Sequence, residues 1–164
     1  MTLPQQKFRE IVLTLLYSAE MGGQTLENSI PLLMQEHSIS KRNARLALDR
    51  AREILNAADV IDDKVRAVVE SYRFERIHAI MKNVLRIALF ELLYEEDIPP
   101  KVAFAEGMRL CKKYSTPEAV SFINAIMDAI YKQEQGEEFD GKTISQAYDK
   151  LLEEERNIEN KKDI

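Results

Sequence analysis

The chain has 164 residues, 45% of them hydrophobic and 31% charged; this is enough apolar material for one well-buried core and too little length for two independent domains. The formal charge of −5 is unevenly placed, because residues 1–133 carry 18 Lys and Arg against 18 Asp and Glu while residues 134–164 carry 5 against 10. A neutral body with an acidic extension argues against a general nucleic-acid binder, which would show a basic excess, so any RNA contact has to be local.

The first helix is read from Phe8, Ile11, Val12, Leu15, Leu16 and Ala19, whose spacing makes one continuous apolar face ending at Gly22 and Gly23. A second, weaker helix covers Leu26 to Gln35, with Pro31 in its first turn. Ser40 is a good N-cap for a third helix carrying Ala44, Leu48, Ala51, Leu55 and Ala58. Beside that face run Lys41, Arg45 and Arg52, either a phosphate-tracking stripe or long stems laid along the edge of the core with solvated heads. Asp62 and Asp63 are read as the cap of a fourth helix bearing Val65, Val68, Val69 and Tyr72.

The most apolar segment, Ile77 to Tyr94, leaves almost no polar face and has to be packed from several sides. Lys82, Arg86 and Glu91 interrupt it and need partners or an opening to solvent. Pro99 and Pro100 start a sixth helix with Val102, Ala103, Ala105, Met108 and Cys111 toward the core, and Thr116, Pro117 and Glu118 make a strong start for a seventh bearing Phe122, Ile123, Ile126, Met127 and Ile130. The expected fold class is all-α. After Gln133 a Gly- and acid-rich loop leads to Ser145–Asn160, where Ala147, Tyr148, Leu151 and Leu152 form a short apolar stripe; a docked terminal helix and a disordered acidic tail both fit.

Chemistry-bearing motifs are missing. Gly141 and Lys142 lack the upstream glycine of a phosphate-binding loop, and one cysteine with His37 and His78 gives no metal-ligand spacing. Cys111 reads as a packed thiol and His78 as a partly buried, hydrogen-bonded side chain. No charge-free run exceeds nine residues, which leaves no membrane span or signal-peptide core and makes a cytoplasmic location the expectation. Composition and periodicity thus reach a soluble helical bundle with an interaction role, no cofactor and no metal.

Two segments carry more. Residues 7–17, KFREIVLTLLY, and residues 84–128, VLRIALFELLYEEDIPPKVAFAEGMRLCKKYSTPEAVSFINAIMD, resemble the opening helix and C-terminal half of the bacterial transcription antitermination factor NusB family. The shared elements are Leu85–Leu92, Asp97–Val102, Glu106–Tyr114 and Phe122–Asn124, in family order. The resemblance implies a seven-helix domain over residues 1–133, made of subdomains of about 1–71 and 72–133, with residues 134–164 as an acidic and possibly helical extension. It also implies pairing with the ribosomal protein NusE, joint binding of boxA RNA and loading onto the RNA polymerase antitermination complex, notably on ribosomal RNA operons.

On that resemblance the RNA-binding residues are Lys7, Arg9, Phe122 and Asn124: cations for phosphates, an aromatic face for an unpaired base and a polar contact. From the residues alone Phe122 reads as core. Tyr17, Glu75 and Glu91 fall on the NusE-facing surface, where carboxylates suit a basic partner; Arg86 and Glu91 equally fit an internal pair. Several positions depart from the family: Pro4, Gln5 and Gln6 stand where arginines cluster, Ser121 where a lysine is common, and Met81 where many relatives carry a glutamate. An alternative reading is a NusB-like protein-interaction module that has lost boxA recognition, its acidic tail engaging a basic partner or shielding the basic face. An RNA-modifying enzyme with a NusB-like N-terminal domain is disfavoured by the missing nucleotide-cofactor loop.

Overall fold

The computed structural model describes residues 2–22 and 25–162, so Gly23 and the side chain of Tyr72 lie outside the described residues. Among the described residues there is helix and no strand. The elements are α1 (Gln5–Glu20), a 3₁₀ turn (Leu26–Ser29), α2 (Ile30–His37), α3 (Lys41–Val69), α4 (Ser71–Glu75), α5 (Ala79–Tyr94), α6 (Pro100–Tyr114), α7 (Pro117–Glu134) and α8 (Gly141–Lys162).

The local signals act where the sequence puts them. Ser40 Oγ accepts the Asn43 amide at 3.1 Å to start α3, and Thr116 Oγ1 accepts the Ala119 amide at 3.3 Å to start α7, with Pro117 in its first turn. Pro31 sits in the first turn of α2. The expected fourth helix starts later than its acidic pair: α3 runs unbroken through Asp62 and Asp63 to Val69 and is followed by the short α4. The reason is tertiary. Asp62 is buried in mid-helix and receives two hydrogen bonds from Arg86 of α5, at 3.0 and 2.7 Å, so its carboxylate has no need to cap a helix end.

Helix α5 is the centre of the molecule, touching α1, α3, α6 and α7, and its Val84, Leu85, Ile87, Ala88, Leu89 and Phe90 are all buried. Its neighbour α6 comes close because Gly107 has no side chain: a Cβ there would lie 2.9 Å from Cβ of Ala88 and 3.3 Å from Sδ of Met127. The inward face of α6 is Ala103, Gly107, Leu110 and Cys111. Val102 and Ala105, expected inside, are exposed, since the approach at Gly107 rotates the helix to bring that residue to the seam.

The extension is a docked helix. Gly136, with φ of +74°, turns the chain after α7, and α8 returns along it with Ile144, Ala147, Tyr148 and Leu151 buried. Burial of side chains such as Ile144 and Leu151 contributes about 1.5–3 kcal/mol each. One continuous apolar cluster runs from Ile11 of α1 to Leu151 of α8.

Candidate nucleic-acid and partner interface

Arg9 and Glu91 were expected to face different ligands, and the structure turns them toward each other. Arg9 Nε donates to Glu91 Oε2 at 2.9 Å and Nη2 to Oε1 at 2.7 Å, with both residues buried. Glu106 of α6 lies 3.5 Å from the remaining Arg9 nitrogen. The pair ties α1 to α5 and leaves neither charge free for a phosphate or a basic partner. The internal pair considered for Arg86 and Glu91 is likewise exchanged: Arg86 bonds Asp62 and Asn83, and Lys82 and Arg86 share Glu20 of α1.

Phe122 is fully buried in this chain, not offered to solvent. Its ring meets that of Tyr148 with centroids 5.5 Å apart, so the face of α7 that carries it is closed by α8. The physical cause is the apolar stripe of the extension, which needs an apolar seat and finds one on Phe122. Asn124, two residues on, is exposed. It lines a groove of about 570 Å³ between Ser121, Asn124 and Asp128 of α7 and Thr143, Gln146 and Lys150 of α8.

Lys7 remains close to the surface, its Nζ donating to the His37 carbonyl at 2.8 Å at the C-terminal end of α2. With Pro4, Glu10, Thr14, His37 and Tyr114 it borders an open groove of about 330 Å³. Tyr114 is 42% exposed. Glu10 accepts from Arg109 and Lys113, each at 2.9 Å. Burial works against the Glu10 carboxylate, but the hydrogen bonds and charges of Lys113 and Arg109 outweigh it and hold its pKa below the ordinary value. Lys7 and Glu10 share that groove with the exposed Tyr114 ring and Lys113 Nζ lies 5.6 Å from the ring centre, while Arg109 is tied to Glu10 and, at 2.8 Å, to Glu106. Sequence reasoning did not single out Arg109, Lys113 or Tyr114 as site residues; the run Lys112-Lys113-Tyr114 at the end of a helix, basic next to aromatic, is the signal that marks them.

On the proposed partner side Tyr17 is 38% exposed near the end of α1. Glu75, in α4, is exposed and pairs with Arg66 at 3.2 Å. In the stripe on α3, Arg45 and Arg52 both pair with the exposed Glu27. Glu95, at the end of α5 where an acid is unfavourable for the helix dipole, is met by Arg50 at 3.3 Å. His78 precedes α5, is largely exposed and bonds Glu155 of α8 at 2.7 Å. Among the described residues no group of three His, Cys, Asp or Glu side chains is placed to hold a metal ion, and no helix is long and apolar enough to cross a membrane.

These features define a class: an all-helical interaction domain, braced inside by buried ion pairs and open at one edge through cations beside an exposed ring. Comparison with known proteins makes the class specific. The NusB family model matches residues 6–132. The transcription antitermination protein NusB of Chlamydia pneumoniae is 36% identical over 128 residues, covering 78% of this chain and 80% of that protein. The protein of the same name from Clostridium perfringens is 34% identical over 131 residues, covering 79% and 97%. The solved NusB of T. maritima superposes with a TM-score of 0.68 at 28% identity, covering 88% of this chain and 99% of that one. A chain from the crystal structure of NusB and NusE in complex with double-stranded RNA shares the fold, with a TM-score of 0.60 at 22% identity and coverage of 79% and 96%. The chain belongs to the NusB family.

Proposed function

We propose that this protein is a cytoplasmic transcription antitermination factor that pairs with NusE and, jointly with it, binds boxA-type single-stranded RNA, notably from ribosomal RNA operons, and that it catalyses no reaction. The observation that carries the reading is the family match over residues 6–132, with relatives that bear the antitermination name on both sides of 30% identity. The pairing with NusE and the boxA preference rest on the motif resemblance at Leu85–Leu92, Asp97–Val102, Glu106–Tyr114 and Phe122–Asn124.

In this reading Lys7, Arg109 and Lys113 meet phosphates, Tyr114 offers a stacking face and Asn124 a polar contact, while Tyr17 and Glu75 meet NusE. Arg9 and Glu91 hold α1 against α5 so that these surfaces keep their relative positions. Three phosphate contacts on a single strand correspond to a slope of about −2 in log affinity against log salt. The test is a titration of labelled boxA RNA with and without NusE at two salt concentrations. Expected are weak binding by the protein alone and tighter, salt-sensitive binding with NusE; no gain on adding NusE sinks the proposal.

A second reading, an interaction module without boxA recognition, is favoured by one observation, the closure of Phe122 under α8.

A further inference from the structure

The family match ends at residue 132, and α8 begins at Gly141. The Clostridium perfringens relative is covered over 97% of its length by 131 aligned residues, which leaves no room for a further helix of 22 residues. This chain therefore supplies its own occupant for a face of α7 that such a relative has no helix to cover.

The seat of that occupant combines a good apolar stripe with poor polar pairing. Ile144, Ala147, Tyr148 and Leu151 are buried, Tyr148 packs on Phe122, and Arg73 of α4 lies 5.1 Å from the centre of the Tyr148 ring while donating to Ser145 Oγ at 2.9 Å. Along the same seam the Tyr148 hydroxyl is buried with no hydrogen-bond partner, and two carboxyls with buried oxygens, Glu118 of α7 and Glu154 of α8, are brought against each other. Burial, with the neighbouring Glu118 and Glu155 carboxylates, pushes the Glu154 carboxyl up against the favourable pull of Thr116. A helix that served only to complete the core would satisfy these groups or do without them, since each subtracts from docking. A pair of facing carboxyls and an unpaired phenol leave the docking weaker than the apolar stripe alone would make it.

We propose that α8 is a releasable cover over the Phe122 face of α7, and that single-stranded RNA reaches that face only when α8 lifts. The inference rests on the antitermination reading and adds a control to its RNA site. The apparent affinity of a site open for only a fraction of the time is reduced by that fraction, so RNA affinity should rise by the factor by which opening rises.

The test uses the full chain with NusE, a fluorescein-labelled single-stranded boxA RNA, and hydrogen exchange of the α8 amides measured against those of α5. The double variant Tyr148→Ala/Leu151→Ala should speed α8 exchange while α5 stays protected, and tighten RNA binding by about tenfold or more. Adding Phe122→Ala to that variant should remove the gain. Glu154→Gln, which takes away one charge and offers the Glu118 carboxylate a donor, should slow α8 exchange and weaken RNA binding by the same factor. The cover is overturned if α8 lifts and RNA affinity stays level while the unaltered protein binds RNA with NusE; the antitermination reading then stands. It is equally overturned if α8 of the unaltered protein exchanges no faster than α5. If neither the unaltered nor the released protein binds RNA with NusE, the antitermination reading itself fails, and the cover over its RNA site with it. Should the double variant unfold, Glu154→Gln decides alone: slower α8 exchange without weaker RNA binding refutes the cover.

Discussion

Removal of Glu91 alone should destabilise the protein strongly, and removal of Glu91 and Arg9 together should cost less than the sum of the two single losses. The pair is buried, with a Glu91–Arg9 contact of 2.7 Å, and joins residues 82 positions apart in the chain. Glu91→Ala leaves a guanidinium in a low-dielectric seam, a change that costs about 3–5 kcal/mol when nothing else takes up the charge. Glu106 stands 3.5 Å from Arg9 and is itself mostly buried, so it recovers part of that loss and places the expectation at the low end, about 3 kcal/mol. For a chain of this size that corresponds to a fall in Tm of about 6–12 °C. Arg9→Ala should cost a similar amount by stranding the carboxylate, and the double variant should be less unstable than the sum of the two by about 1.5–3 kcal/mol. Urea unfolding followed by circular dichroism at 222 nm measures all four corners of the cycle. Additive losses, or a Glu91→Ala variant within about 0.5 kcal/mol of the unaltered protein, would refute the buried-brace reasoning and return Glu91 to the partner surface.

Gly107→Ala should destabilise the fold by about 1–3 kcal/mol in thermal unfolding, because the 2.9 Å approach to Cβ of Ala88 outweighs the gain in helix propensity that alanine brings. Burial pushes the Cys111 thiol up to about 12, so alkylation by iodoacetamide at pH 8 should be slow in the native protein and become rapid only after denaturation. Glu10 has its folded pKa below the ordinary carboxylate value of 4.5, and its contribution to stability is therefore fully present above that value and lost as pH falls through the lower, folded one. Unfolding midpoints taken from pH 6 down to pH 2 should show an acid-side decline that is shallower in Glu10→Gln; identical curves would show that Lys113 and Arg109 do not hold the carboxylate ionised.

What could be read from the chain and what could not divide along sequence distance. The starts of α3 and α7 were legible because Ser40 and Thr116 act on amides three residues away, and the apolar face of α1 because helical periodicity is a local property. Asp62 misled the reading for the same reason in reverse: an acid pair before an apolar run looks like a cap, and only Arg86, 24 residues further on, makes it a buried mid-helix partner. Arg9 and Glu91 each matched a surface role by resemblance, whereas their bond spans α1 and α5 and leaves no trace in either segment. Phe122 is the most instructive case. Its spacing within α7 said core and its place in the family motif said RNA. The outcome depended on whether the stripe Ala147, Tyr148, Leu151 docks, and on where, which is decided by the packing of α7 against a helix outside the family match.

The net charge acquires a different meaning once α8 is seated. Ten acids in residues 134–164 would act on a tail as a diffuse counter-charge, but a docked helix fixes them: Glu155 is held at His78 and Glu154 beside Glu118. At physiological ionic strength a carboxylate influences its surroundings over about 8 Å, so these groups govern the seam between α7 and α8 and contribute little at a distance. On the proposed antitermination reading, affinity for an RNA strand should follow the local set Lys7, Arg109 and Lys113, with Glu10 and Glu106 subtracting, and not the total of −5. The salt dependence separates the two descriptions, since counterion release from three phosphate contacts gives a slope of about −2, whereas a chain repelled as a whole would bind RNA better as salt is added.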